Sequence, residues 1–95
     1  MTILQMPPFK NTVKKLPRLR QQIVLDAVED ILSNPEIGEA KTGDLEGFRV
    51  YKFPMNRDLT LLAYRMEEDA IVLYQVGSHE NFYKTLKRYL KEIRR

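Results

Sequence analysis

The strongest indication of the fold is the stretch "FRVYKFPMNRDLTLLAYRMEEDAIVLYQV", residues 48–76. Its first part, "FRVYKF", alternates with a period of two, which is typical of a strand with two different faces. The segments "LTLLAYRM" at 59–66 and "AIVLYQV" at 70–76 are mostly apolar, and the second is apolar on both faces, as suits a central strand of a covered sheet. The short turns "PMNRD" and "EED" between them predict three successive antiparallel strands.

Two helical patterns precede these strands. "TILQ" at 2–5 predicts a short first strand, and "PPFKNTVKKL" at 7–16 predicts a helix with its prolines at the entry, where a missing N–H costs little. After Pro17, apolar side chains recur at every fourth position of residues 18–33, namely at Leu19, Ile23, Ala27 and Ile31. This spacing predicts a second helix, and the short join predicts that the two helices form an antiparallel hairpin.

A third helical pattern follows the strands. Phe82, Leu86, Leu90 and Ile93 recur at helical spacing and predict a final helix that buries all four side chains, with Ser78 as its N-cap. The polar segment 34–47 is interpreted as a loop. The expected fold is therefore α+β, one small domain spanning 1–95 in the order β-α-α-β-β-β-α. An antiparallel sheet of three to four strands packs against the N-terminal helix hairpin and the C-terminal helix.

The composition restricts the classes of function. The chain has 95 residues, enough for one small core, and it has no cysteine, which excludes thiol catalysis, disulfides and cysteine metal sites. No apolar run approaches the roughly 20 residues needed to cross a bilayer, and the N-terminus lacks the ordered regions of a signal peptide. We therefore expect a soluble cytoplasmic protein.

The positive charges lie in two segments, although the net charge is only +3. The first segment holds Lys10, Lys14, Lys15, Arg18 and Arg20 without an acid. The second holds Lys84, Lys87, Arg88, Lys91, Arg94 and Arg95 against one Glu92. Two basic segments on a small domain favour an anionic partner such as nucleic acid, and the alternative is two solvated helix faces.

The ordered motifs of residues 43–83, "GDLEGFRVYKFPMNRDLTLLAYRMEEDAIVLYQVGSHENFY", resemble those of a known toxin family. They include "L-x-G", a basic strand, a "Y-R" strand and "V-G-x-H" with a downstream aromatic residue. Over nearly its whole length the chain resembles the RelE/ParE superfamily of type II toxin–antitoxin toxins, and "GSHENFY" is most similar to its YafQ-like branch. The resemblance implies a RelE-like fold and either metal-free, ribosome-dependent cleavage of mRNA or, in the ParE branch, inhibition of DNA gyrase.

Metal-free RNA cleavage needs an acid, a base and cations around the scissile phosphate, because the 2′-hydroxyl of the substrate is the nucleophile. His79 is the chain's only histidine, and imidazole titrates near neutral pH, so His79 is the candidate acid or base. Tyr83 lies four residues further on, which predicts the same helix face. The resemblance implies that Tyr83 is the aromatic residue of the active site.

The resemblance extends the candidate catalytic residues to Lys52, Arg57 and Asp58. Lys52 is expected to stabilise the charge of the phosphate or to act as the base. Leu59 stands where the YafQ-like branch has tryptophan, and the loop histidine of that branch has no counterpart here. A two-histidine mechanism is therefore excluded, and lysine or arginine must replace the missing imidazole, as in the RelE branch. The candidate RNA-binding residues are Arg49, Arg65, Lys84, Lys87 and Arg88.

Together with these residues, the resemblance implies an mRNA interferase, an endoribonuclease toxin that arrests translation and uses neither a metal nor another cofactor. Its expected partners are a cognate antitoxin, the ribosome and mRNA, and it is expected to reach DNA only through the antitoxin complex. The alternatives are a ParE-like inhibitor of DNA gyrase and a non-enzymatic module that binds RNA or protein. The pairing of His79 with Tyr83 favours the nuclease, because gyrase inhibition gives no reason for a catalytic histidine.

Overall fold

The computed structural model describes residues 1–94, and in this part of the chain five strands form one sheet with helices on both faces. The strands are β1 (Thr2–Gln5), β2 (Glu39–Ala40), β3 (Phe48–Met55), β4 (Asp58–Met66) and β5 (Ala70–Ser78). Their order across the sheet is β1-β5-β4-β3-β2. The predicted α+β class and the three successive antiparallel strands are confirmed. No helix among residues 1–94 is both long and apolar enough to cross a membrane.

Two details of the predicted sheet are wrong. β1 pairs with β5 in parallel, with Thr2 opposite Ala70, so the sheet is mixed rather than antiparallel. The segment 34–47 contains a further strand, β2, which pairs antiparallel with β3. Two residues are too few to show a period in the sequence, and the direction of β1 depends on a partner almost 70 positions away.

The helix hairpin covers one face of the sheet through α1 (Pro7–Lys14) and α2 (Arg18–Ser33). The amide Nε2 of Gln21 donates hydrogen bonds to the carbonyl oxygens of Val13 and Leu16, which fixes the turn between the helices. The core on this face is formed by Phe9, Val24, Ala27, Val28, Ile31, Phe53, Met55, Leu62, Tyr64, Ile71, Leu73 and Val76. Leu19 is 82% exposed, although its spacing groups it with Ile31. Positions four apart advance by about 40° around a helix, so this row has turned away from the sheet at Leu19.

The third helix, α3 (Phe82–Ile93), covers the opposite face. Phe82, Leu86 and Leu90 are buried against a second cluster that consists of Leu45, Phe48, Val50, Leu61 and Ala63, which confirms Phe82 as a core residue. The predicted burial of Ile93 is wrong, because this side chain, at the last residue of the helix, is 45% exposed. The prediction of Ser78 as the N-cap is wrong. Ser78 is the last residue of β5, and α3 begins at Phe82 after Asn81, whose φ is 62°. The β5 strand is therefore two residues longer than the predicted 70–76, and three residues separate its end from α3.

Candidate functional site

Lys52 lies on the face of the sheet that α3 covers. Phe48 and Val50 of β3 are buried beneath α3, and the alternation of the strand places Lys52 on the same face, where it is exposed. Lys52 is paired across the sheet with Leu61 of β4, which is paired in turn with Gly77 of β5. This row reaches the segment between β5 and α3, so the lysine and the loop that carries His79 border the same surface.

The short strand β2 adds two charged residues to this surface. Glu39 is paired directly with Val50, so its side chain lies on the face of Lys52, one diagonal position away. The backbone N–H of Lys41 donates to the carbonyl oxygen of Phe48, at 2.9 Å, and Lys41 Nζ forms an ion pair with Glu39 Oε1. Neither residue was a sequence candidate. The available signal was "EAK" at 39–41, whose charged residues are two positions apart, just before "L-x-G".

Neighbouring charges in this cluster shift the pKa values of Glu39 and Lys41. The hydrogen bond from Lys41, followed by the positive charges of Lys41 and Lys52, lowers the pKa of Glu39. The hydrogen bond with Glu39 is also the largest cause of the raised pKa of Lys41. Glu39 therefore remains ionised and Lys41 remains a cation at neutral pH.

Tyr83 joins the cluster from the first turn of α3. Its ring is half-buried and packs edge-on against Phe82, with ring centroids 5.4 Å apart. Lys41 Nζ lies 5.1 Å from the centroid of the Tyr83 ring, within the range of a cation–π contact. The structure thus brings Tyr83 together with Lys41. The prediction that Tyr83 and His79 share a helix face is wrong, because His79 precedes the helix.

His79 is exposed in the segment between β5 and α3. Its backbone N–H donates to the carbonyl oxygen of Leu59 at 3.2 Å, which continues the β4–β5 ladder by one position. In this register His79 lies two strands across the sheet and two residues along the strand from Lys52. Their Cα atoms are therefore about 12 Å apart. Leu59, 45% exposed, separates the two along β4. His79 and Lys52 are both exposed and border the same surface.

Asp58 lies on the other face of the sheet, away from Lys52 and Tyr83. It is paired with Met55, whose side chain is buried under the helix hairpin. There it lines a cavity of about 210 Å³ together with Leu16, Arg20 and Thr60. Arg57 is exposed in the two-residue turn between β3 and β4, next to Asn56 with φ of 60°. The structure therefore does not bring Asp58 into the cluster of β2 and β3.

The two arginines of the strands are engaged elsewhere in the molecule. Arg49 Nη1 donates to the carbonyl oxygens of Glu36 and Gly38, at 3.1 and 2.7 Å, and so fastens the loop before β2. Arg65 lies over the ring of Phe48, 5.1 Å from its centroid, and its Nε is 3.5 Å from Glu67 Oε1. Arg65 is also six residues along β4 from Leu59, or about 20 Å.

The basic candidates of α3 are exposed on the side that does not pack on the sheet. They are Lys84, Lys87 and Arg88, with Lys91 further along the helix. Lys87 Nζ lies 3.9 Å from Asp44 Oδ2, a loose surface pair. Arg95, the last cation of this basic segment, lies outside the described residues. Among residues 1–94, no three or more histidine, aspartate and glutamate side chains are grouped as metal ligands.

Comparisons with known proteins identify a family from the sequence and a fold from the structure. The family model of ParE-like toxins of type II bacterial toxin–antitoxin systems matches residues 3–87. No curated protein matches the sequence. The fold is similar to that of an E. coli RelE mutant in the free state, with a TM-score of 0.69 at 14% identity over 95% of each chain.

Two solved toxin–antitoxin complexes contain chains of the same fold. For the intact RelBE complex of E. coli, the TM-score is 0.65 at 16% identity, over 83% of this chain and 96% of that one. For the RelBE2 complex of Mycobacterium tuberculosis, it is 0.63 at 20% identity, over 82% of this chain and 96% of that one. At these identities the likeness shows a RelE-like fold.

Proposed function

The chain belongs to the ParE-like toxins of type II bacterial toxin–antitoxin systems, and from this premise we propose that it is a metal-independent endoribonuclease that cleaves mRNA on the ribosome. The observation that carries the proposal is the convergence of Lys41, Lys52 and Tyr83 on one face of the sheet, with His79 at its rim. Cleavage of a phosphodiester needs cations around the phosphate and a group that donates a proton to the leaving oxygen, and this surface offers candidates for both.

In the proposed reaction the 2′-hydroxyl of the RNA gives its proton to a water molecule and attacks the adjacent phosphorus. The bond from phosphorus to the 5′-oxygen breaks, and His79 donates a proton to that oxygen. The products are a 2′,3′-cyclic phosphate and a 5′-hydroxyl end. Acid catalysis of this kind contributes about 10²–10⁴-fold. Lys41 and Lys52 stabilise the extra negative charge of the pentacoordinate phosphorus, which contributes most in the transition state.

The test is primer extension on mRNA after brief induction of the wild-type protein and of His79→Ala. We expect new 5′ ends within codons for the wild type and none for the variant, while both proteins keep the same thermal unfolding midpoint. Glu80→Ala is the matched control, because Glu80 is the exposed neighbour of His79 in the same segment. Full toxicity of His79→Ala at wild-type expression would contradict the acid role.

We further propose that an antitoxin holds this protein inactive, because two similar folds were solved in complexes of a toxin with its antitoxin. Two surfaces suit such a partner. One is the cavity between the hairpin and the sheet, with an apolar floor that includes Leu16 and Met55. The other is the exposed basic face of α3, where acidic side chains of the antitoxin would accelerate association.

Inhibition of DNA gyrase is the second candidate function, and the ParE-like family model favours it. We rank it second because His79 borders the cluster of β2, β3 and α3, and poisoning of gyrase needs no group that transfers a proton. The same induction experiment separates the two functions. A DNA damage response without new mRNA 5′ ends would select gyrase inhibition and reject the nuclease.

A further inference from the structure

The cluster beside Tyr83 contains an acid between two cations. Glu39 forms its ion pair with Lys41, and Lys52 lies one diagonal position away on the neighbouring strand. The three charged groups together carry a net charge of +1. When the Glu39 carboxylate turns away, the ammonium groups of Lys41 and Lys52 remain on the same face of the sheet.

The side chain of Lys41 is more strongly fixed by its surroundings than the side chain of Glu39. The side chain of Lys41 is only 20% exposed, its Nζ lies over the Tyr83 ring, and its backbone is bonded to β3. The side chain of Glu39 is 64% exposed, and within residues 1–94 its carboxylate has a hydrogen bond to Lys41 alone. Lys41 is thus a fixed cation, whereas Glu39, on an edge strand of two residues, is free to turn away.

We propose that Lys41 and Lys52 form a binding site for one phosphate of single-stranded RNA, and that Glu39 occupies this site in the free protein and leaves it when RNA binds. The identity of the ligand as RNA rests on the proposed function. A carboxylate and a phosphodiester accept charge-assisted hydrogen bonds from the same ammonium groups, so they compete for them. The phosphate can bridge both lysines, whereas Glu39 bonds to one.

Displacement of Glu39 is easy because exposed ion pairs are weak. The competition therefore lowers the affinity for RNA without abolishing it, and loss of the carboxylate should tighten binding about two- to five-fold. Glutamine at position 39 retains the shape of the side chain and removes its charge. The gain should also depend on Lys41, because Glu39 acts on the site mainly by binding this cation.

The experiment measures the affinity for a fluorescent 2′-O-methyl RNA hexamer by anisotropy at fixed pH and ionic strength. This probe cannot be cleaved, because its 2′ oxygens carry methyl groups. Glu39→Gln is compared with Glu29→Gln, which removes the same charge from the exposed surface of α2. We expect the hexamer to bind Glu39→Gln about two- to five-fold more tightly than Glu29→Gln. Equal affinities for the two variants would overturn the proposal.

A double-mutant cycle tests whether Glu39 weakens RNA binding through Lys41. In a Lys41→Gln background, Glu39→Gln should no longer tighten binding, and an undiminished gain there would overturn the proposed role of Lys41. Loss of mRNA cleavage in Glu39→Gln with unchanged affinity would also overturn it, since Glu39 would then act in the chemical step. If the wild type cleaves no mRNA but Glu39→Gln still binds the hexamer more tightly, the nuclease function fails and the phosphate site stands.

Discussion

Tyr64 links the buried core to the candidate site, and its hydroxyl is the group whose removal tests the architecture most sharply. The side chain is fully buried. The hydroxyl donates to the carbonyl oxygen of Pro35 at 2.7 Å and accepts from the N–H of Gly38 at 2.9 Å. Gly38 immediately precedes β2, so these two bonds set the path of the strand that carries Glu39.

Tyr64→Phe keeps the ring and removes both hydrogen bonds. Each bond contributes about 0.5–1.5 kcal/mol net, and a buried group left without a partner costs about 1–3 kcal/mol. Because Arg49 and β2 still hold part of the loop, we expect a total loss of about 2–3 kcal/mol in the free energy of unfolding. For a domain of this size, that lowers the thermal midpoint by about 10–20 °C.

The assay is thermal and urea unfolding of Tyr64→Phe beside Tyr51→Phe. The Tyr51 hydroxyl donates to Asp30 Oδ2 at 2.9 Å in an exposed position, so its loss should cost less than about 1 kcal/mol. Equal costs for the two variants would refute the reasoning. The binding of the RNA hexamer should also weaken in Tyr64→Phe alone, because only this change loosens β2.

The stabilisation of the fold by the Tyr64 hydroxyl depends on pH. Burial is the main cause of its raised pKa in the folded protein. The neutral hydroxyl therefore stabilises the fold fully below about pH 10, the ordinary value of tyrosine, and this contribution is lost as the pH rises through the folded pKa. The difference in stability between the wild type and Tyr64→Phe should narrow above that pH, and a constant difference up to the alkaline limit of folding would contradict the assignment.

Three further perturbations address the chemistry, the partner and the fold. Lys52→Ala should slow mRNA cleavage more than it weakens ribosome binding, and equal losses would identify a docking residue. Charge reversal at Lys87 and Arg88 should slow association with the antitoxin and leave dissociation nearly unchanged; a faster dissociation would identify buried anchors. Leu86→Ala should lower the free energy of unfolding by about 2–5 kcal/mol in urea titrations, and a loss well below that would show that α3 is not part of the cooperative core.

The sequence by itself determined the elements whose pattern is local. The period of two in "FRVYKF" and the helical spacing of Phe82, Leu86 and Leu90 correspond to β3 and α3 as observed. These periods follow from backbone geometry within a few residues, so they can be read without any knowledge of the partner. The placement of Lys52 opposite the helix hairpin follows from the same alternation, since Val50 and Lys52 lie on one side of the strand.

The contacts between residues that are distant in the sequence could be read only from the tertiary structure. Glu39 and Lys41 join Lys52 and Tyr83 because two residues of a polar loop pair with β3 in one register, and no local pattern encodes that register. Asp58 is adjacent to the candidate site along the chain but points to the opposite face, because its partner Met55 is buried under the hairpin. The parallel pairing of β1 with β5 likewise depends on contacts between distant segments. Such contacts are fixed by the packing of the whole domain, whereas a helix or a strand is fixed by its own residues.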